Sequence, residues 1–201
     1  MNTFFELLRS VWIYLGQMAV LAVPAGLAFM CFLPCRRMRL KDKGLHSGFL
    51  REIGLLLFVM TVFSILSVTL RPPMGWGTPL SGDRMKPNLV LFKMFRIYRV
   101  YLRWGDLLYI IINFLGNMLV FLPLGFLPAL LFRKASWWRS ALIGCGISLF
   151  VECGQYFLLR QSDIDDVILN TVGALMGYWV YLLVGCLLPG FVAKFRCTER
   201  S

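Results

Sequence analysis

Three sets of polar residues interrupt the apolar runs in the second half of this chain. Within each set the members are three or four residues apart, a spacing that places them on one face of a helix. Polar side chains are costly in hydrocarbon, so such faces predict either a functional site or a hydrogen-bond network between helices. The sets are Asn113 with Asn117, Ser148 with Glu152 and Gln155, and Asp166 with Asn170.

Glu152 is the ionisable residue that this pattern places deepest. It precedes Arg160 by about 12 Å along a helix that rises 1.5 Å per residue. A carboxylate at that depth must be protonated, paired or solvated by a cavity. We therefore interpret Glu152 either as the centre of a functional pocket, with a candidate catalytic role, or as a structural partner of Arg160 or Asn117.

The connection between the last two apolar runs contains Asp163, Asp165 and Asp166. These are candidate metal ligands, because divalent cations prefer several carboxylate oxygens. Their spacing matches no dedicated metal-binding loop, and a solvated acidic turn explains them more simply. Asp166, or its neighbour Asp165, could also cap the next helix. The cysteines and the single histidine form no zinc pattern, and the sequence predicts no cofactor.

The elements that must position these residues are membrane helices. Hydrophobic residues make up 59% of the 201 and charged residues 15%, with a mean hydropathy of +0.72, which is too apolar for a soluble domain. We predict one all-α integral membrane domain over residues 1–201, a polytopic bundle of about five spans with its first span retained. The segments long enough to cross a bilayer are residues 12–33, 53–70, 107–132, 141–159 and 167–188.

The net charge of +11 does not indicate nucleic-acid binding, because little water-facing surface remains and the Lys and Arg residues gather between the apolar runs. The positive-inside rule predicts a cytoplasmic carboxyl terminus and an amino terminus outside, which places the polar ends of the last three spans outside. Twelve cations support this: Arg36, Arg37, Arg39, Lys41, Lys43, Arg51, Arg133, Lys134, Arg139, Lys194, Arg196 and Arg200.

The connection 71–106 opposes this topology, since it carries seven positive residues on the predicted outer side. Part of it fits a basic helix at the membrane surface, because Lys93, Arg96, Arg99 and Arg103 recur at steps of three, three and four. A strand-like or irregular re-entrant stretch is the alternative. Further on, Gly173 and Gly177 favour close packing of the last helix against a neighbour.

Two runs carry a family resemblance. The run NMLVFLPLG from Asn117 resembles the N-x-x-x-F-x-P-x-G pattern of VanZ-like membrane proteins. The run ECGQ from Glu152, followed by Arg160 and by DIDD from Asp163, is similar to the second signature of that family. Asn88 also fits its N-L-x-P-F element, although Leu91 stands where proline is usual. The resemblance covers about residues 88–183.

This resemblance implies a membrane protein that lowers susceptibility to the glycopeptide teicoplanin in bacteria, and it supplies no mechanism. Our leading hypothesis is a pocket that binds the headgroup of a membrane lipid or an envelope precursor, with Arg160 holding a phosphate. The residues expected to line the pocket are Asn117, Glu152, Gln155, Arg160, Asp163, Asp166 and Asn170.

Two alternatives stay open at the level of sequence. The chain would be a lipid-headgroup hydrolase or transferase if Glu152 acted as a general base. It would be a structural membrane partner or scaffold if the polar residues only join helices. The sequence leaves the oligomeric state open.

Overall fold

The computed structural model describes residues 2–71, 86–105, 107–196 and 198–199. Two of the positive residues counted in the sequence lie outside the described residues: Arg84 of the connection 71–106, and Arg200. The elements in chain order are α1 Asn2–Asp42, β1 Leu45–His46, α2 Phe49–Thr69, α3 Lys93–Trp104, α4 Leu107–Leu131, α5 Trp137–Phe157, α6 Ile164–Leu187, α7 Pro189–Ala193 and β2 Thr198–Glu199.

The predicted all-α membrane bundle is confirmed. Five helical segments in the described part of the chain are long and apolar enough to cross a bilayer, one for each predicted span. Helices α2 and α5 end, and α6 begins, at the same end of the bundle. We call this end the site end and the opposite end the basic end. The five segments are Leu15–Asp42, Phe49–Thr69, Asn113–Leu131, Trp137–Phe157 and Ile164–Leu187.

Helix α1 continues well beyond the predicted boundary at residue 33 and ends at Asp42. Several cations assigned to the first loop therefore lie on its last turns, where positive side chains interact favourably with the helix dipole. One of them, Arg36, forms an ion pair with Glu52, which is 3% exposed near the start of α2. This pair joins the end of one span to the start of the next.

Helices α4 and α6 approach so closely that backbone touches backbone. A Cβ atom built on Gly173 would lie 2.2 Å from the carbonyl oxygen of Met118, and one on Gly177 would lie 2.0 Å from that of Leu122. Gly125 of α4 meets α6 in the same way, since its Cβ would lie 1.7 Å from the Ala174 carbonyl oxygen. The close packing predicted for Gly173 and Gly177 is confirmed.

The other spans pack around this pair of helices. Helix α5 lies against α6, where a Cβ on Gly144 would come within 2.5 Å of the Ala174 methyl group. Helix α2 contacts α4, and α1 packs mainly on α2. The site end of α4, α5 and α6 therefore brings the three polar sets of the sequence together.

The basic segment after residue 92 is helical, as the charge periodicity predicts, and the irregular alternative is wrong over α3. Met94 is buried, whereas Arg96, Arg99 and Arg103 are exposed. The helix packs on α4. Its position at the membrane surface stays a prediction.

Candidate functional site

The connection between α5 and α6 folds back on the end of α5. Leu159 adopts a left-handed backbone conformation with a φ of 57°, and the backbone nitrogen of Arg160 donates a 2.9 Å hydrogen bond to the carbonyl oxygen of Gln155. Such a bond satisfies a carbonyl group that the helix leaves unpaired. The chain then begins α6 with Asp163 as its N-cap, whose Oδ1 accepts from the backbone nitrogen of Asp165 at 3.0 Å.

Glu152 reaches from α5 to this connection. The side chain is 6% exposed, and its Oε2 accepts a 2.7 Å hydrogen bond from the backbone nitrogen of Asp163. Glu152 therefore fixes the position of the turn that starts α6.

Asn88 joins the same turn from a distant part of the chain. Its backbone nitrogen donates to the Ser162 carbonyl oxygen at 2.8 Å, and its own carbonyl oxygen accepts from the Ile164 nitrogen at 3.0 Å, which makes a short parallel bridge. The Asn88 side-chain nitrogen donates to Oδ2 of Asp163 at 2.8 Å. The segment before α3 is therefore fastened across the start of α6.

Asp165 holds the start of α3. It is 1% exposed, and its two carboxylate oxygens accept from the backbone nitrogens of Phe92 at 2.6 Å and Met94 at 2.8 Å. These amides belong to the N-terminal turn of a helix, where a carboxylate is favourable both as an acceptor and as a charge. The predicted cap of α6 by Asp165 or Asp166 is therefore wrong, because Asp163 is the N-cap of α6 and the Asp165 carboxylate caps α3 instead.

Two polar pairs lie deeper between the helices. The Asn117 side-chain nitrogen donates to Oδ1 of Asp166 at 2.9 Å, which joins α4 to α6. The Asn170 side-chain nitrogen donates to the Ser148 hydroxyl at 2.8 Å, which joins α6 to α5. Oδ1 of Asn170 is buried and has no hydrogen-bond partner within the described residues.

Gln155 and Arg160 are directed to a different helix. The side-chain nitrogen of Gln155 donates to the Thr69 carbonyl oxygen at 3.2 Å, and Nη1 of Arg160 donates to the carbonyl oxygens of Thr69 and Arg71 at 3.3 and 3.1 Å. Cations and N–H donors are favourable at the carboxyl end of a helix, where the last carbonyl groups are unpaired. These two residues therefore bind the end of α2.

A cleft of about 350 Å³ opens beside Glu152 between α5 and the start of α6. Glu152 and Asp163 are its charged lining residues in the described part of the chain, and most of its wall is apolar. Of the seven residues expected to line one pocket, these two lie in the cleft and the others make the helix contacts described above. The remaining lining residues are Pro87, Leu89, Leu149, Cys153, Tyr156, Phe157, Ser162, Ile164 and Val167.

A family model described as VanZ/LLP1 matches residues 55–185, which is more than half of the chain. The chain belongs to the VanZ/LLP1 family. The resemblance drawn from residues 88–183 is confirmed, and the VanZ/LLP1 region extends further toward the amino terminus to include most of α2. No curated protein and no solved structure matches the chain.

The VanZ/LLP1 region contains all the carboxyl groups of the site, and they obtain their hydrogen bonds from neutral N–H groups. Asp163, Asp165 and Asp166, the metal candidates, have separate partners in Asn88, the α3 backbone and Asn117. Within the described residues, no group of three or more His, Cys, Asp and Glu side chains is placed to hold a metal ion.

Sequence reasoning missed one contributor to the site and one ion pair at the basic end of the bundle. Asn88 was noted only as part of a VanZ-like pattern, and that pattern was the one signal that could have assigned it to the site. The Arg36–Glu52 pair lies outside the matched VanZ/LLP1 region and shows no local pattern, because its partners come from different spans.

Proposed function

We propose that this protein binds an amphipathic lipid or cell-envelope precursor in a bacterial membrane, and that this binding lowers susceptibility to glycopeptides of the teicoplanin type. The cleft beside Glu152 is the observation that carries the proposal. The link to glycopeptides rests on the membership of this chain in the VanZ/LLP1 family.

The cleft suits a ligand with an apolar chain and a polar end. Leu149 of α5, Val167 of α6 and the aromatic rings of Tyr156 and Phe157 form much of its wall, and Glu152 lies among them. Ligand sites commonly combine an apolar lining with a few polar groups that set orientation. An acyl or isoprenoid chain would contact this wall while the headgroup lies at the carboxyl groups.

The charges favour a hydroxyl or amine group at Glu152 over a phosphate. Glu152 and Asp163 both line the cleft, whereas Arg160 donates to the carbonyl oxygens at the end of α2. A phosphate of the same ligand would be favoured beside α3, since Asp165 holds the start of this basic helix next to α6. The headgroup would therefore extend from Glu152 toward Arg96 and Arg99.

The site end is proposed to face the outside. The support is the distribution of cations, because eleven of the 21 Lys and Arg residues belong to described segments at the basic end. Single cysteines at Ser162 and at His46, in a background without other cysteines, would test this. A membrane-impermeant maleimide added to intact cells should label position 162 and not position 46; the reverse pattern would place the site end in the cytoplasm.

Growth assays with paired variants test the function. Glu152→Gln removes the cleft carboxylate and Leu149→Trp fills the cleft, so each should abolish protection against teicoplanin in a susceptible host. Leu142→Trp is the matched control, because Leu142 is 62% exposed on the same helix and does not line the cleft. Equal membrane levels would be checked by immunoblot. Full protection by Leu149→Trp would contradict a role for the cleft.

A lipid analysis separates binding from catalysis. Wild-type protein in nanodiscs made from bacterial lipid extract should retain a lipid that Leu149→Trp loses, and mass spectrometry of the extracted lipids would identify it. If the wild type instead converts a lipid and Glu152→Gln does not, the hydrolase or transferase hypothesis replaces simple binding.

A further inference from the structure

We infer that the basic end of the bundle carries a second site, which binds the phosphate group of an anionic membrane lipid. A cleft of about 390 Å³ opens there between the last turns of α1 and the first turn of α2. The lining residues that carry the argument are Arg37, Lys41, His46, Ser47, Leu40 and Phe49.

The cleft has a positive lining. Arg37 and Lys41 are four residues apart, so they lie on one face of α1, and both are exposed. His46 of β1 is a third nitrogen-bearing side chain in the lining, and no carboxylate belongs to the lining within the described residues. Glu52, a buried carboxylate near the start of α2, is already paired with Arg36.

Ser47 and the start of α2 add hydrogen-bond donors. Ser47 is 9% exposed, and the N-cap residue Gly48 supplies no side-chain hydrogen bond to the helix that begins at Phe49. The first backbone amides of α2 therefore lack intrahelical acceptors and carry the positive end of the helix dipole. Anions are favoured at such a position.

Arg51 does not line the cleft itself, but it places a buried cation next to the lining residue Ser47. Its side chain is 8% exposed, and Nη1 donates to the Ser47 hydroxyl at 3.4 Å. Its Nε atom is buried without a hydrogen-bond partner among the described residues, and Arg51 forms no ion pair with any carboxylate whose side chain the structure describes. A buried cation without a counter-ion is costly, and a phosphate bound next to Ser47 would reduce that cost.

The position of the cleft indicates that the phosphate belongs to a lipid. The first candidate span ends at Asp42 and the second begins at Phe49, so the cleft lies at the depth where headgroups meet the acyl chains. Leu40 lines the cleft, and Phe49 beside it is 73% exposed, which gives an acyl chain an apolar contact. Basic pockets between membrane helices are typical sites for anionic headgroups.

Native mass spectrometry of the purified full chain tests the site with phosphatidylglycerol and phosphatidylcholine as probes. The wild type should prefer phosphatidylglycerol, and Arg37→Gln with Lys41→Gln should weaken that binding by roughly tenfold, since two charged contacts are lost. The matched control is Arg39→Gln with Lys43→Gln, which removes the same charge from residues outside the lining and should change binding by less than about twofold.

Three results would overturn the inference. Equal loss in both double variants would mean that the basic end attracts anionic lipid without a local site. Equal binding of the two lipids would remove the phosphate-specific claim. Displacement of phosphatidylglycerol by millimolar inorganic phosphate would assign the cleft to a free phosphate. The single variants Arg37→Gln and Lys41→Gln, at exposed positions, keep the test valid if the double variant does not fold.

Discussion

The backbone nitrogen of Asp163 donates a 2.7 Å hydrogen bond to Oε2 of Glu152, so the carboxyl group that lines the cleft also closes the turn before α6. The turn before α6 and the proposed ligand site thus share one side chain. A substitution at Glu152 can therefore change both the stability of the turn and the binding of a ligand. Comparing Glu152→Gln with Glu152→Ala separates the two effects.

Glu152→Ala should lower stability more than Glu152→Gln. Glutamine retains an oxygen that accepts from the Asp163 amide, whereas alanine leaves this buried donor unpaired at a cost of about 1–3 kcal/mol. Thermal unfolding of the purified protein in detergent would measure the difference. Cys153→Ala is the control, since Cys153 lines the cleft, is exposed and leaves the turn unchanged; equal melting temperatures for both Glu152 variants would argue against the hydrogen bond.

Asp165→Ala should loosen α3 and lower stability by roughly 2–5 kcal/mol, because two charge-assisted hydrogen bonds to backbone amides are lost in a buried place. Limited proteolysis should then cut the variant between residues 86 and 104. The wild type should resist cleavage in this segment. Asp42→Ala, at an exposed aspartate on the last turn of α1, should change neither property. A protease-resistant α3 in Asp165→Ala would show that its packing on α4 suffices.

Gly173→Ala and Gly177→Ala should each separate α4 from α6 or prevent folding, because the new methyl group would overlap a carbonyl oxygen. Gly185→Ala on the same helix has open space around its Cβ position and should be neutral or stabilising by up to about 1 kcal/mol. Yields of monodisperse protein and melting temperatures would compare the three. Wild-type behaviour of Gly173→Ala would contradict the observed approach of the two backbones.

Ser148 and Asn170 should be coupled. Ser148→Ala alone leaves the Asn170 amide group unsatisfied in the interior, at a cost of about 1–3 kcal/mol, whereas Asn170→Leu removes the polar group that needs a partner. The double variant should therefore be more stable than the sum of the single effects predicts. A double-mutant cycle from thermal unfolding measures this coupling, and strict additivity would mean that the 2.8 Å contact contributes nothing.

The spans and the faces of the polar residues could be predicted because hydropathy and helical spacing are local properties. Spacing also placed Glu152 and Gln155 together, but the structure directs Glu152 to α6 and Gln155 to α2. Residues three apart differ by about 60° around a helix, which is enough to face different neighbours when helices lie on both sides. The choice between those neighbours depends on packing that no local pattern contains.

Hydrogen-bond partners that are distant in sequence could not be predicted for the same reason. Asp165 holds the backbone of Met94, 71 positions earlier, and the Asn88 side chain donates to Asp163 across 75 positions. The sequence predicts a solvated turn for these aspartates, which is wrong for Asp165, because it is 1% exposed and the groups that satisfy it come from another element. The sequence therefore does not predict which partners these residues find.

The glycine contacts between α4 and α6 determine how a ligand could arrive. Because Gly173 and Gly177 rest on the carbonyl groups of α4, these two helices leave no room for a passage along their shared axis. The cleft lies instead between α5 and the start of α6. A ligand of the proposed kind would thus have to reach Glu152 from the α5 side of α6 and not from between α4 and α6.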